Sequence, residues 1–270
     1  MLGYVLILVS CVACWSPAKW KYEESIEKTI SFKPGSKLVV DNSMGSITVK
    51  SHGRDVMLLE MVKKVKARSK GRAEDRFEEI KIEIDTSRSD MVRIKTRHPK
   101  RWRYKEGVSV NFTIYVPTKT ELSLDTGMGS ISVDGIDGRQ VLDTGMGSIE
   151  VKEAPGDLKL HTGMGSIKVR EATGSLDLDT GMGEIDIDIT RKVEDDIYAH
   201  TGMGSITLEL PEDTDAEISA STGMGKVSSN LPITVRGTLT GSSLKGELGK
   251  GGPTIKLSTG MGGIKLRGRG

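Results

Sequence analysis

Four side chains at near-regular spacing are of types that hold a transition metal: Asp143, His161, Asp179 and His200. Each sits just before a recurring threonine, in a series reading Asp125, Asp143, His161, Asp179, His200, Ser221. Carboxylate and imidazole are a zinc or nickel ligand set. Stacked strands would hold them about 5 Å apart. The competing reading is an outward column in which histidine relieves repulsion between carboxylates; it assigns no metal.

A second series is made of thioethers alone: Met44, Met128, Met146, Met164, Met182, Met203, Met224 and Met261. Stacked thioethers suit a soft ion such as Cu(I). Methionine is also a flexible filler for gaps over an apolar core, and a column turned inward for that purpose needs no ligand. Calcium is a poorer fit. The calcium β-roll places Asp where this chain has Ile131, Ile149, Ile167, Ile185 and Ile206, and aliphatic residues supply none of the oxygen ligands calcium needs.

A third group is basic, Lys63 to Arg72 and Arg97 to Lys105, the latter with Trp102 and Tyr104. Such stretches suit anionic headgroups or cell-wall phosphates, or form a solvated face paired with acidic residues elsewhere. No nucleic acid is expected. Enzyme signatures are missing: no His-Glu-x-x-His, Gly-x-Ser-x-Gly or phosphate loop occurs. Glycan-processing β-helices need aromatics for sugar stacking, and after Tyr115 only Tyr198 remains. No catalytic residue and no cofactor are assigned.

These side chains must be positioned by a repeat. The phrase Thr126-Gly127-Met128-Gly129-Ser130-Ile131 returns at Thr144, Thr162, Thr180, Thr201, Thr222 and Thr259, with an early echo at Ser43-Met44-Gly45-Ser46-Ile47. The first three steps are 18 residues each. A fixed period of this length means stacked units that share one core. Leu158 and Leu160 before the phrase, and Ile167 and Val169 after it, alternate at the strand period. Each unit is therefore two short strands and a Gly corner. The expected fold is an all-β solenoid (β-helix) of about 18-residue rungs, residues 118–270. The steps to Thr201 and Thr222 are 21 residues, with the slack at Arg191–Asp196 and Pro211–Asp215. These longer loops are where a site is expected. The gap from Thr222 to Thr259 leaves room for a degenerate rung at Thr240-Gly241-Ser242-Ser243-Leu244, which makes eight rungs from Thr126 onwards. The last strand, Gly263–Leu266, is expected at an open end guarded by Arg267 and Arg269.

Upstream the pattern changes. Residues 25–117 read as a β-rich cap module, with a hairpin about Pro34-Gly35, strands near 37–50, 56–65, 81–85, 91–96 and 108–116, and one helix near 70–80. Ser69 is its N-cap, and Ala73, Phe77 and Ile80 share one face. Residues 1–105 carry 23 Lys and Arg against 13 Asp and Glu; residues 106–270 carry 16 against 24. The charge boundary thus falls near the pattern boundary.

Residues 15–24 read as a tether. Residues 1–14 read as a signal or lipoprotein-like segment, because the apolar run is too short to span a bilayer. Leu8-Val9-Ser10-Cys11 resembles a lipobox, which makes Cys11, or else Cys14, the acylation site. The body has no cysteine, hence no disulfide or thiolate site.

The module around Arg72–Ile80, the strand Val108–Pro117 and the repeated Gly-Ser-Ile corners together resemble a bacterial β-strand-repeat family of unknown function. Its members carry the label adhesin without a demonstrated activity. The family corner usually reads Ser-Gly-Asp-Ile, so the methionine is this chain's own variation. The resemblance implies an envelope-associated β-helix. The combined expectation is an exported, non-catalytic envelope protein with a structural or adhesin-like role. The alternatives are a metal- or polyanion-binding envelope module and, further off, a glycan-processing β-helix enzyme.

Overall fold

The computed structural model describes residues 10–16, 19–97 and 107–269, with side chains for 22–97, 107–235 and 241–269. The N-terminal part runs through β1 (Ser10–Ser16), β2 (Lys19–Ser31), β3 (Lys37–Met44), β4 (Ile47–His52), β5 (Val56–Ala67), α1 (Lys70–Glu79), β6 (Lys81–Arg88), β7 (Met91–Arg97) and β8 (Gly107–Pro117). The repeats follow as strand pairs: β9 (Glu121–Met128) with β10 (Ile131–Asp134), β11 (Gln140–Met146) with β12 (Ile149–Ala154), β13 (Leu158–Met164) with β14 (Ile167–Ala172), and β15 (Leu176–Met182) with β16 (Ile185–Asp188). Then come β17 (Ile197–Met203) with β18 (Ile206–Pro211), and β19 (Ala216–Met224) with β20 (Val227–Ser229). The hairpin β21 (Thr234–Thr240) and β22 (Ser243–Leu248) leads to β23 (Thr254–Met261) and β24 (Ile264–Arg269).

Among the described residues the strands form two sheets of 12. The chain is a β-solenoid: each rung gives one strand to each sheet, and equivalent residues lie on adjacent parallel strands, as in Leu142↔Leu160↔Leu178. The inward Leu, Ile and Val residues are buried along the whole stack. Each contributes about 1.5–3 kcal/mol relative to exposure. Nine levels are parallel in each sheet, which at about 4.8 Å per level makes a stack of roughly 40 Å.

The stack begins upstream of residue 118. β3 and β4 pair in parallel register with β9 and β10, placing Met44 opposite Met128 and Ile47 opposite Ile131. β7 and β8 form one more level beyond them. The open edges of that level are covered by antiparallel strands, β6 on β7 and β5 on β8, with β2 and β1 beyond β5. The hairpin expected about Pro34-Gly35 does not form. β2 and β3 lie in different sheets, because β3 takes the repeat register and β2 the edge of β5. The stretch expected as a tether is largely strand, with Trp20 to Ser31 paired to Ala67 to Val56. The helix lies where the pattern places it, Ser69 at its N-cap without a side-chain capping bond, Ala73 and Ile80 buried, and Phe77 partly so.

The C-terminal order differs from the sequence order. The last rung, β23–β24, is inserted between β17–β18 and β19–β20. The expected open end at Gly263–Leu266 is therefore an interior position. The degenerate rung expected at Thr240 is instead an antiparallel hairpin laid on β19. The physical reason lies in the corner. At every true corner a Cβ on the second glycine would overlap a backbone carbonyl of the neighbouring rung, as Gly147 would with Gly129. Thr240-Gly241-Ser242-Ser243 has no second glycine, so it cannot stack that way.

Candidate functional site

The corner sets out three columns along one edge of the stack. The threonines point inward. Thr144, Thr162 and Thr180 are fully buried, and each hydroxyl donates to the carbonyl of the preceding rung's second glycine at 2.8–2.9 Å. At the far end Asn42 replaces threonine; its amide donates to Gly45 and Val110 carbonyls, and Thr96 donates to its Oδ1. The corner backbone is tied rung to rung, for example Gly147 N–H to the Met164 carbonyl at 2.9 Å.

The methionines face outward. They pair in register from Met44 through Met128, Met146, Met164, Met182, Met203 and Met261 to Met224. Met44 is half-buried, and the other seven are 39–63% exposed. The inward, gap-filling reading is thereby corrected: threonine holds the inward place and displaces methionine to the surface.

The third column holds the residues before the threonines. Asp143, His161, Asp179 and His200 do lie on successive strands in register. His161 Nδ1 is 3.2 Å from an Asp179 oxygen, and His200 Nδ1 is 2.8 Å from Ser258 Oγ. Toward the other end Asp41 is paired with Lys95 at 2.6 Å. The Asp125 carboxyl is pushed above its ordinary value, by partial burial first and then by Asp143 and Asp41. A straight column brings two neighbours to any one point, whereas zinc takes four convergent donors. Among the described residues no group of three or more His, Cys, Asp and Glu converges as a metal set.

The basic stretch is dispersed. Lys63 is buried with its ammonium 3.9 Å over the Phe77 ring, and its pKa is lowered by burial, against the pull of Glu24 and Glu78. Lys64 pairs with Glu23 at 3.2 Å, Lys70 with Glu74 at 3.8 Å, and Arg97 with Glu83 at 2.8 Å. Lys66, Arg68 and Arg72 are exposed. The rest of the second stretch, 98–105, lies outside the described residues, as do residues 1–9 and the side chains of Cys11 and Cys14.

The two longer loops brace the inserted rung. Lys192 and Asp213 meet at 3.0 Å across them. Asp196 accepts from Thr254 N–H at 2.7 Å and Asp215 from Lys250 N–H at 2.8 Å. A groove reaches the first of these loops at Arg191, the place expected for a site; the feature not anticipated is the backbone beside it. Glu153 and Glu171 adopt φ of 49° and 55°, at the position where the preceding rung has Gly135. With Ser51, Thr173 and Arg191 they line this open groove of about 410 Å³. The signal was present as Glu-Ala-Pro-Gly and Glu-Ala-Thr-Gly one period apart.

A family model described as Toastrack DUF4097 matches residues 120–267, more than half of the chain. The chain belongs to that family. Solved structures similar to this Toastrack chain include a candidate cell adhesion protein from Clostridium sporogenes, at 16% identity and TM-score 0.42, with 91% of this chain and 100% of that one covered. A candidate adhesin from Bacteroides fragilis gives 16% and 0.46, with 90% and 96% covered. A candidate lipid-binding protein from Parabacteroides distasonis gives 13% and 0.38, with 91% and 97% covered. No curated protein matches the chain.

Proposed function

We infer that this Toastrack chain is a non-catalytic envelope protein with a structural or adhesin-like interaction role. One observation carries the reading: the outward positions of both sheets form in-register columns, so the spacing of the surface repeats at every rung while its side chains, mostly polar, vary. The outward face of one sheet reads Ser132, Glu150, Lys168, Asp186, Thr207 and Lys265 at equivalent positions. A regular rigid lattice of this kind suits a repetitive partner, such as a glycan or a protein array. Placement at the envelope is supported by the apolar run of residues 4–14 and the lipobox-like Leu8–Cys11.

Two measurements on the native protein test this. Mass spectrometry of the N-terminus from the producing cell is expected to find processing before Cys11 or Cys14, with acylation of that cysteine, in the envelope fraction. Purified protein is expected to co-sediment saturably with isolated envelope fragments. An intact Met1 in the soluble fraction, or release of reducing sugar from those fragments, would overturn the reading.

A further inference from the structure

Within this one chain seven corners carry the same four residues, Thr-Gly-Met-Gly, and an eighth keeps Met-Gly. Packing accounts for three of the four positions. Threonine bonds the neighbouring rung. The first glycine has no room for a side chain; a Cβ at Gly145 would lie 2.6 Å from the Gly127 carbonyl oxygen. The second is excluded by the overlap described above.

Methionine is the remainder. Its backbone carbonyl accepts the inter-rung bond, which any residue could do. Its side chain is exposed, where nothing in the packing selects thioether over a polar group. Outward columns on the strands vary: Asp, His and Ser occur in one, Ser, Glu, Lys, Asp and Thr in another. The corner serine of Ser46, Ser130, Ser148, Ser166 and Ser205 is steadier, yet it gives way to Glu184, Lys226 and Gly263, whereas the methionine is never replaced. Uniform methionine at an exposed position, beside columns that drift, points to the sulfur.

We propose that the methionine column binds a soft monovalent ion, Cu(I) or Ag(I), between thioethers of adjacent rungs. Soft thioether ligands select such ions. The strand spacing is about 4.8 Å, and a zinc–thiolate bond, taken as the scale of a metal–sulfur bond, is about 2.3 Å. Parallel side chains on adjacent rungs carry their sulfurs at the strand spacing, so an ion centred between two of them reaches both in a near-linear arrangement. The straightness that denies a tetrahedral site to the Asp–His column is what a two-coordinate ion requires. Thioethers are neutral and carry no proton to displace, and the exposed flank lets the ion enter from solvent. Eight sulfurs shared two to an ion accommodate four ions. This goes beyond the interaction role and stands or falls apart from it.

The test is a titration of the full chain with Ag(I), which is stable in air, watched through methionine methyl NMR. The expected result is saturable shifts of the eight column methyls, complete near four equivalents and unaltered by tenfold excess Zn(II). Met57 and Met61, buried in β5, should stay unshifted and report the intact fold. The variant Met146→Leu, Met164→Leu, Met182→Leu keeps the apolar bulk and should lose about two of the four equivalents. Binding should survive from pH 7 to pH 5. No shift at stoichiometric Ag(I), an unchanged stoichiometry in the leucine variant, or loss of binding at pH 5 (which would point to His161 and His200) would overturn the proposal.

Discussion

Replacing Gly147 with alanine tests the corner as built. Gly147 has φ of 155°, and its neighbours in the stack are close on both sides. A Cβ there overlaps the Gly129 carbonyl of one rung, while its own N–H donates to the Met164 carbonyl of the next at 2.9 Å. Backbone held in a region that L-residues avoid costs about 1–3 kcal/mol. Forcing a methyl into packed surroundings costs about 1–3 kcal/mol more. Relief by moving the rung lengthens the inter-rung bonds, so the strain is transmitted along the stack. The expected loss is therefore about 2–6 kcal/mol. Gly53→Ala is the control, since nothing lies within 4 Å of a Cβ there. It should be neutral or stabilising by about 0.4–1 kcal/mol. Urea denaturation followed by far-UV circular dichroism measures both. A Gly147→Ala midpoint within error of wild type at unchanged slope would refute the stacking geometry of the corner.

Three further outcomes are expected. Thr162→Val keeps the shape but strands the partly buried Gly147 carbonyl, whose 2.8 Å bond it removes; the cost by denaturation should be about 1–2 kcal/mol. Asp125→Asn should raise the melting temperature at neutral pH. The folded state disfavours its charge, so the penalty is present above its raised pKa and relieved as pH falls through it; the gain should shrink toward zero in acid. Finally, in a background lacking Cys11 and Cys14, the pairs Met203→Cys with Met261→Cys and Met261→Cys with Met224→Cys should form disulfides. Met203→Cys with Met224→Cys should not, because it lies two levels apart and beyond the 4.4–6.8 Å reach of a disulfide.

The repeat period, strand alternation, helix face and corner glycines were all legible because each is enforced locally. Leu158 and Leu160 must alternate, and Gly145 and Gly147 must lack side chains, whatever the neighbours are. The order of the last rungs was not legible. Thr222 and Thr259 open near-identical phrases, so either satisfies the register of Thr201, and only the long connection through Thr234–Leu248 tells them apart. The hairpin at Thr240 could have been distinguished from a rung by its missing second glycine. The side of the methionines was not legible from alternation. Continued from Leu124 and Thr126 it turns Met128 inward, and the burial pattern breaks that alternation at Gly127 and Met128, where the corner leaves the core. The braces Asp196 and Asp215 were not legible either, since each acts on a residue dozens of positions away.

The outward methionine column is the claim on which the surface account rests, and oxidation footprinting reads it directly. After a brief pulse of dilute hydrogen peroxide on the folded chain, mass spectrometry should find Met128, Met146, Met164, Met182, Met203, Met224 and Met261 converted to sulfoxide at least tenfold faster than Met57 and Met61. Column methionines as protected as that buried pair would contradict it.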